Sequence, residues 1–116
     1  MAPGDICLAS FPFGDAPIVK LRPVLLLTGP IGTVPEVLVA YISSVVPLAA
    51  LPTDLLVDPM QSEFLSTNLK TFSVVRLHKL ATIHARSIVR DLGRLAPGPR
   101  KIVARKLGLL LGLSAS

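Results

Sequence analysis

In this chain of 116 residues, few positions combine the types and spacing that chemistry requires. Arg22 precedes Pro23, which has no N–H for a ladder and biases its neighbour toward extended geometry. An arginine fixed at a loop–strand junction, facing the Gly/Pro stretch Pro12-Phe13-Gly14-Asp15, suits the clamping of an anionic group. It equally suits an edge charge that blocks unwanted strand pairing. Ser43 and Ser44 close an apolar run, and hydroxyls at a strand end commonly satisfy nearby backbone groups. His78 and His84 lie six apart around a predicted bend, as a candidate acid/base pair or as ordinary strand and turn residues. Paired Cys/His metal spacings, a Gly-rich phosphate loop and a nucleophile elbow are all missing, so the sequence predicts no metal and no other cofactor.

The elements that must position these residues read as short strands followed by one helix. Gly4-Asp5 opens a strand over Ile6 to Phe11, and the apolar strand Val24 to Leu27 ends at Thr28-Gly29, with Arg22-Pro23 at its entrance. Glu36 to Ile42 is rich in β-formers and reads as a strand buried on both faces. A short strand follows over Thr53 to Pro59, then a loop from Met60 to Thr71 with room for one helical turn. Strands are predicted over Phe72 to Leu77 and Ile88 to Leu95, with Gly93 marking a bulge or a close approach. After Pro97-Gly98-Pro99, the apolar residues Ile102, Val103, Leu107, Leu110 and Leu111 recur at three- and four-residue steps. Gly108 and Gly112 each weaken that helix by roughly 1 kcal/mol relative to alanine, so docking must stabilise it. Strands over about 5–95 and a helix over about 98–112 predict one mainly β domain, a small half-open barrel.

Composition narrows the classes further. The length allows one modest core, and the absence of tryptophan leaves it to Leu, Val and Ile. Every apolar run is cut by Pro, Gly or charge short of the roughly 20 residues a spanning helix needs, so no membrane association is predicted. Residues 1–10 carry Asp5 and no basic stretch, so no secretion signal is read. The single Cys7 fits a reducing cytoplasm and reads as a small buried hydrophobe. The formal net charge is +5, and lysines and arginines crowd between Lys70 and Lys106. That imbalance points to a polyanion or an acidic protein as partner.

Three stretches carry a resemblance to a known family. They are Gly4 to Gly29 with its Arg-Pro step, Val37 to Ser44 ending in a hydroxyl pair, and Ser73 to Ile83 followed by Ile88 to Leu95. Together, and in this order, they resemble the MazF/PemK toxins, endoribonucleases of bacterial type II toxin–antitoxin pairs. The resemblance implies a small SH3-like half-open barrel of the CcdB/MazF type. It further implies a cytoplasmic homodimer acting on single-stranded RNA, and an acidic antitoxin whose disordered tail covers the RNA groove.

The resemblance also assigns roles. Arg22 and Ser43 would face each other across the substrate pocket as the catalytic pair. From charge alone, Lys20, Lys70, Lys79 and Arg86 are candidates for a basic rim that holds RNA, beside Ser44, or for an ordinary solvated face; Phe13 or Phe11, the latter equally a core candidate, would stack on a base. The chain departs from the family in having Ser43 where threonine is usual, preceded by Tyr41-Ile42 in place of a proline two residues earlier. Serine keeps the hydroxyl but loses the rotamer restriction of the β-branch. Val45 replaces a polar residue, and Lys79 replaces a glutamine found near RNA in some members. Two other functions compete. One is the same barrel as a non-catalytic RNA- or protein-binding module. The other is a CcdB-type toxin directed at DNA gyrase, against which the Arg-Pro step stands.

Overall fold

The computed structural model describes residues 1–11 and 18–113, with only the backbone of Phe11. Six strands are laid down as β1 (Asp5–Phe11), β2 (Lys20–Leu26), β3 (Glu36–Ser43), β4 (Asp54–Val57), β5 (Ser73–His84) and β6 (Ile88–Arg94). Two 3-10 turns, Ser62–Thr67 and Ala85–Ser87, precede β5 and β6, and one helix, α1 (Pro97–Leu110), ends the chain. The strands form one antiparallel sheet in the order β4-β5-β3-β2-β1-β6. No helix among the described residues is long and apolar enough to cross a membrane.

Period-two alternation builds two cores from the same strands. Ile6, Leu25, Ala40, Ile42 and Val75 project to the larger one, which Val103 of α1 covers. Cys7, Val24, Leu26, Val37 and Val39 project to the other face, where Ile83 meets them. Burial on both faces of β3 is the reason for its nearly unbroken aliphatic run. Cys7 is fully buried, and its thiol donates to the Asp91 carboxylate at 3.1 Å.

Two irregularities shape the sheet. Between Ala40↔Leu80 and Tyr41↔Arg76, a single step along β3 is matched by four along β5, leaving Leu77, His78 and Lys79 as a bulge. Bulges bend a strand and re-aim its side chains, and this one divides the twelve-residue β5 into two limbs. The strand predicted to end at Leu77 therefore continues to His84, and the predicted bend falls inside it.

The second irregularity seals the open side. β4 and β6 are the sheet edges, and the 3-10 turn Ser62–Thr67 is stitched to β6 instead of a strand. Ser66 Oγ donates to the Arg94 carbonyl at 2.8 Å, and Asn68 Nδ2 donates to the Leu92 carbonyl at 2.7 Å. Gly93 permits this seam: a Cβ there would overlap the Ser66 carbonyl and lie 2.6 Å from that of Thr67. The register with β1 also shifts beside Gly93, between Ile6 and Cys7. Close approach and bulge thus coincide at one residue.

The helix starts on two prolines with no side-chain cap and docks through Val103, with Ile102 and Leu107 half-buried beside it. Lys106 Nζ ties it to the Pro52 carbonyl at 2.6 Å. Leu110 and Leu111, read from their spacing as core-facing, are exposed. The helix stops at Leu110, and Gly112 follows at φ 69°, so the chain turns away before those leucines reach the sheet.

Candidate functional site

The site is a groove of about 610 Å³ over the end of the sheet where β2 and β3 part. β2 begins at Lys20, so Arg22 and Pro23 lie within the strand and not at its entrance. They pair with Ala9 and Leu8 of β1. On the other side, the β2–β3 ladder stops at Val24↔Tyr41, one residue before Pro23, which has no N–H with which to extend it. Continuing that register two residues past the last pair sets Arg22 opposite Ser43. Both side chains line the groove.

Their local chemistry differs. Arg22 is exposed and has no hydrogen-bond or ion-pair partner among the described residues, leaving its forked donors for a ligand. Ser43 Oγ accepts the Val45 N–H at 3.0 Å and makes a longer 3.4 Å contact to the Val45 carbonyl. The firm bond orients the oxygen as a β-branch would otherwise do. The long one leaves the hydroxyl proton readily redirected to an incoming acceptor.

Around this pair the groove gathers charge of one sign. Lys20, Arg22, Lys70, Arg76, Lys79 and Arg90 line it, and no carboxylate does among the described lining residues. Such a concave surface attracts a polyanion and raises its local concentration. Lys20, Ser44, Lys70 and Lys79, singled out in the sequence, all fall here. Arg86 does not: it sits in the turn Ala85–Ser87, beside the His84↔Glu36 pair at the opposite end of β3 from Ser43. The side chain of Phe11 and the whole of Phe13 lie outside the described residues. The backbone of Phe11 pairs with Lys20 at the groove's edge.

Sequence reasoning missed Arg76, Tyr41, Asn68 and Arg90, which also line the groove. Arg76 lies opposite both Tyr41 on β3 and Asp54 on β4. Its Nε is 2.8 Å from Asp54 Oδ1, an ion pair whose N–H is not aimed along a hydrogen bond. The Asp54 side chain is 0% exposed and that of Arg76 is 20% exposed, so a sealed anion anchors a cation at the groove floor. The other carboxylate oxygen of Asp54 accepts the Leu51 N–H at 2.8 Å. His78 Nδ1 stands 3.9 Å from Asp54 Oδ1, whereas His84 faces Glu36 on the far limb of β5. Along an extended strand six residues span on the order of 15–20 Å, so the two imidazoles are not neighbours. Burial pushes the Tyr41 phenol up from its ordinary range, keeping a neutral hydroxyl at the groove.

Known proteins share this architecture. The Mycobacterium tuberculosis toxin MazF-mt6 is 26% identical with a TM-score of 0.72, over 95% of this chain and 98% of that one. A mycobacterial endoribonuclease in complex with its cognate antitoxin is 16% identical with a TM-score of 0.70, over 100% of this chain and 97% of that one. A further mycobacterial endoribonuclease is 16% identical with a TM-score of 0.68, over 97% and 91%. At 16% identity the last two speak for the fold alone, which is the expected MazF-type barrel of six antiparallel strands and a C-terminal helix. No curated protein is similar enough to count as a match. A family profile covers residues 2–111, nearly the whole chain. The chain belongs to the PemK-like, MazF-like toxins of type II toxin–antitoxin systems.

Proposed function

We propose that this toxin is a metal-independent, sequence-selective endoribonuclease that cuts single-stranded RNA in the groove between Arg22 and Ser43. The substrate's 2′-hydroxyl oxygen bonds to the adjacent phosphorus while the bond from phosphorus to the 5′-oxygen breaks. The products are a 2′,3′-cyclic phosphate and a 5′-hydroxyl, the proton lost by the first oxygen being gained by the second. Because the nucleophile belongs to the RNA, the protein's work is to hold an in-line geometry and stabilise charge on the phosphoryl oxygens. The Arg22 fork and the Ser43 hydroxyl supply donors for that purpose. Arg22 acts there by its positive charge and its hydrogen bonds. Proton transfer falls to another group or to water.

The observation that carries this reading is the convergence of Arg22 and Ser43 on one groove lined by cations and by no described carboxylate. Lys20, Lys70 and Lys79 would hold flanking phosphates, with Ser44 beside them. Arg76 adds a guanidinium at the floor. Arg86, at the far end of β3, would reach only RNA that extends beyond the groove. The same positive field suits an acidic antitoxin tail lying where RNA would lie, and a homodimer in the cytoplasm completes the reading. A non-catalytic RNA-binding module is the second reading, favoured by the engagement of Ser43 Oγ with Val45. Incubating the purified chain with a long RNA in EDTA and mapping the ends separates them. Cuts with 5′-hydroxyl ends support the nuclease; intact RNA that stays bound supports the module.

A further inference from the structure

We infer that Asn68 is a specificity-determining residue of the groove, reading an exocyclic amine on one RNA base through its Oδ1. The inference rests on the endoribonuclease reading above. Asn68 follows the 3-10 turn Ser62–Thr67 with φ 56° and ψ 22°, the left-handed conformation, and no other described non-glycine residue has positive φ. Asparagine tolerates that region better than most side chains but glycine suits it best. Glycine would relieve the backbone here, whereas asparagine adds a side-chain amide that bonds the seam at Leu92.

The side chain is also held in one orientation. Its Nδ2 donates to the Leu92 carbonyl at 2.7 Å, and Leu92 is itself a groove residue. Only the amide nitrogen can face a carbonyl oxygen, so this bond decides which end of the amide is which. Oδ1 is left as an acceptor with no partner among the described residues. Asn68 is the only side-chain amide among the described lining residues, whose remaining polar groups are six cations and a set of hydroxyls. Lysine and arginine donate only and are satisfied by phosphates or by carbonyl-rich base edges. An acceptor held in place is what such a surface needs to tell bases apart. Adenine, cytosine and guanine each offer an exocyclic amine. Uracil offers one ring N–H flanked by two carbonyl oxygens that the same Oδ1 would repel. Sequence-specific recognition of single-stranded RNA works through such edges.

The test uses Asn68→Gly, which removes the amide and keeps the left-handed backbone. A thermal melt checks that the variant folds. One randomised RNA pool is digested by each protein, the same pool is captured on each immobilised protein, and both sets are sequenced. In the wild type, one position near the cut disfavours uracil. In Asn68→Gly that discrimination falls about fivefold or more, as loss of one neutral hydrogen bond and its desolvated partner implies, while preferences elsewhere persist. An unchanged cut pattern in the folded variant overturns the inference and leaves the nuclease reading standing. A wild type that captures RNA without cutting it overturns the nuclease reading, and the captured pool then judges Asn68 by the same comparison. A wild type that does neither overturns both.

Discussion

Asp54 holds Arg76 across the β4–β5 pair, Oδ1 to Nε at 2.8 Å, with the carboxylate sealed from solvent and the guanidinium open to the groove. A buried charge is tolerated only with a partner, and here the partner also lines the groove. Stability and the proposed RNA surface are thus joined through one ion pair. Asp54→Asn keeps an acceptor for the Leu51 N–H but strips the charge from beneath Arg76. Breaking one side of a buried pair costs about 3 kcal/mol, which urea denaturation will read as a lowered midpoint. RNA affinity should fall as well, because Arg76 loses its fixed position.

Gly93 supports a sharper prediction about the fold. The carbonyls of Ser66 and Thr67 fill the space a Cβ at this position would need, so any side chain would overlap backbone and not a flexible side chain. Gly93→Ala should destabilise the domain by about 3 kcal/mol, the upper range for overpacking, and loosen the seam between the 3-10 turn and β6. Chemical denaturation measures the loss. A variant as stable as the wild type would show that the seam yields without cost.

Cys7 sets a pH dependence whose sign is fixed by its surroundings. Burial first, then the hydrogen bond and negative charge of Asp91, push the thiol from the ordinary 9.0 up to about 12. A group whose folded pKa is raised contributes stability that is complete below its unfolded value and is lost as pH climbs to its folded one. Cys7 therefore stabilises the fold below about pH 9, and that contribution drains away between 9 and 12. Tyr41 shifts in the same direction, so the comparison is between wild type and Cys7→Ala across that window. The wild type should lose its advantage as pH rises. Thiol reagents at pH 8 should label the native protein slowly.

Much of the scaffold was legible because it follows local rules. Gly4-Asp5, the aliphatic run ending in Ser43-Ser44, and Pro97-Gly98-Pro99 mark β1, β3 and the helix start by backbone chemistry alone. Gly93 announced a close approach for the same reason. The bulge at Leu77–Lys79 was not legible, because it arises from how β5 is shared between β3 and β4 and leaves no turn residue behind. Arg76 was overlooked for a related cause. Its partner Asp54 lies on another strand, and nothing in either neighbourhood signals the pairing. Arg86 was grouped with the groove on charge alone, and charge carries no address. Leu110 and Leu111 kept the helical period after the helix had run out of surface to cover.

The central claim concerns Arg22 and Ser43, which line one groove just past the end of the β2–β3 ladder. The most direct measurement is digestion of one long RNA in EDTA by wild type, Arg22→Ala and Ser43→Ala, with the new ends identified chemically. Cleavage by the wild type should persist in EDTA and leave 5′-hydroxyl ends. It should fall at least about tenfold in each variant, since removing one donor to a developing oxyanion costs about 100-fold in favourable cases. Undiminished cleavage by folded Arg22→Ala and Ser43→Ala, or wild-type cutting that EDTA abolishes, would contradict the account.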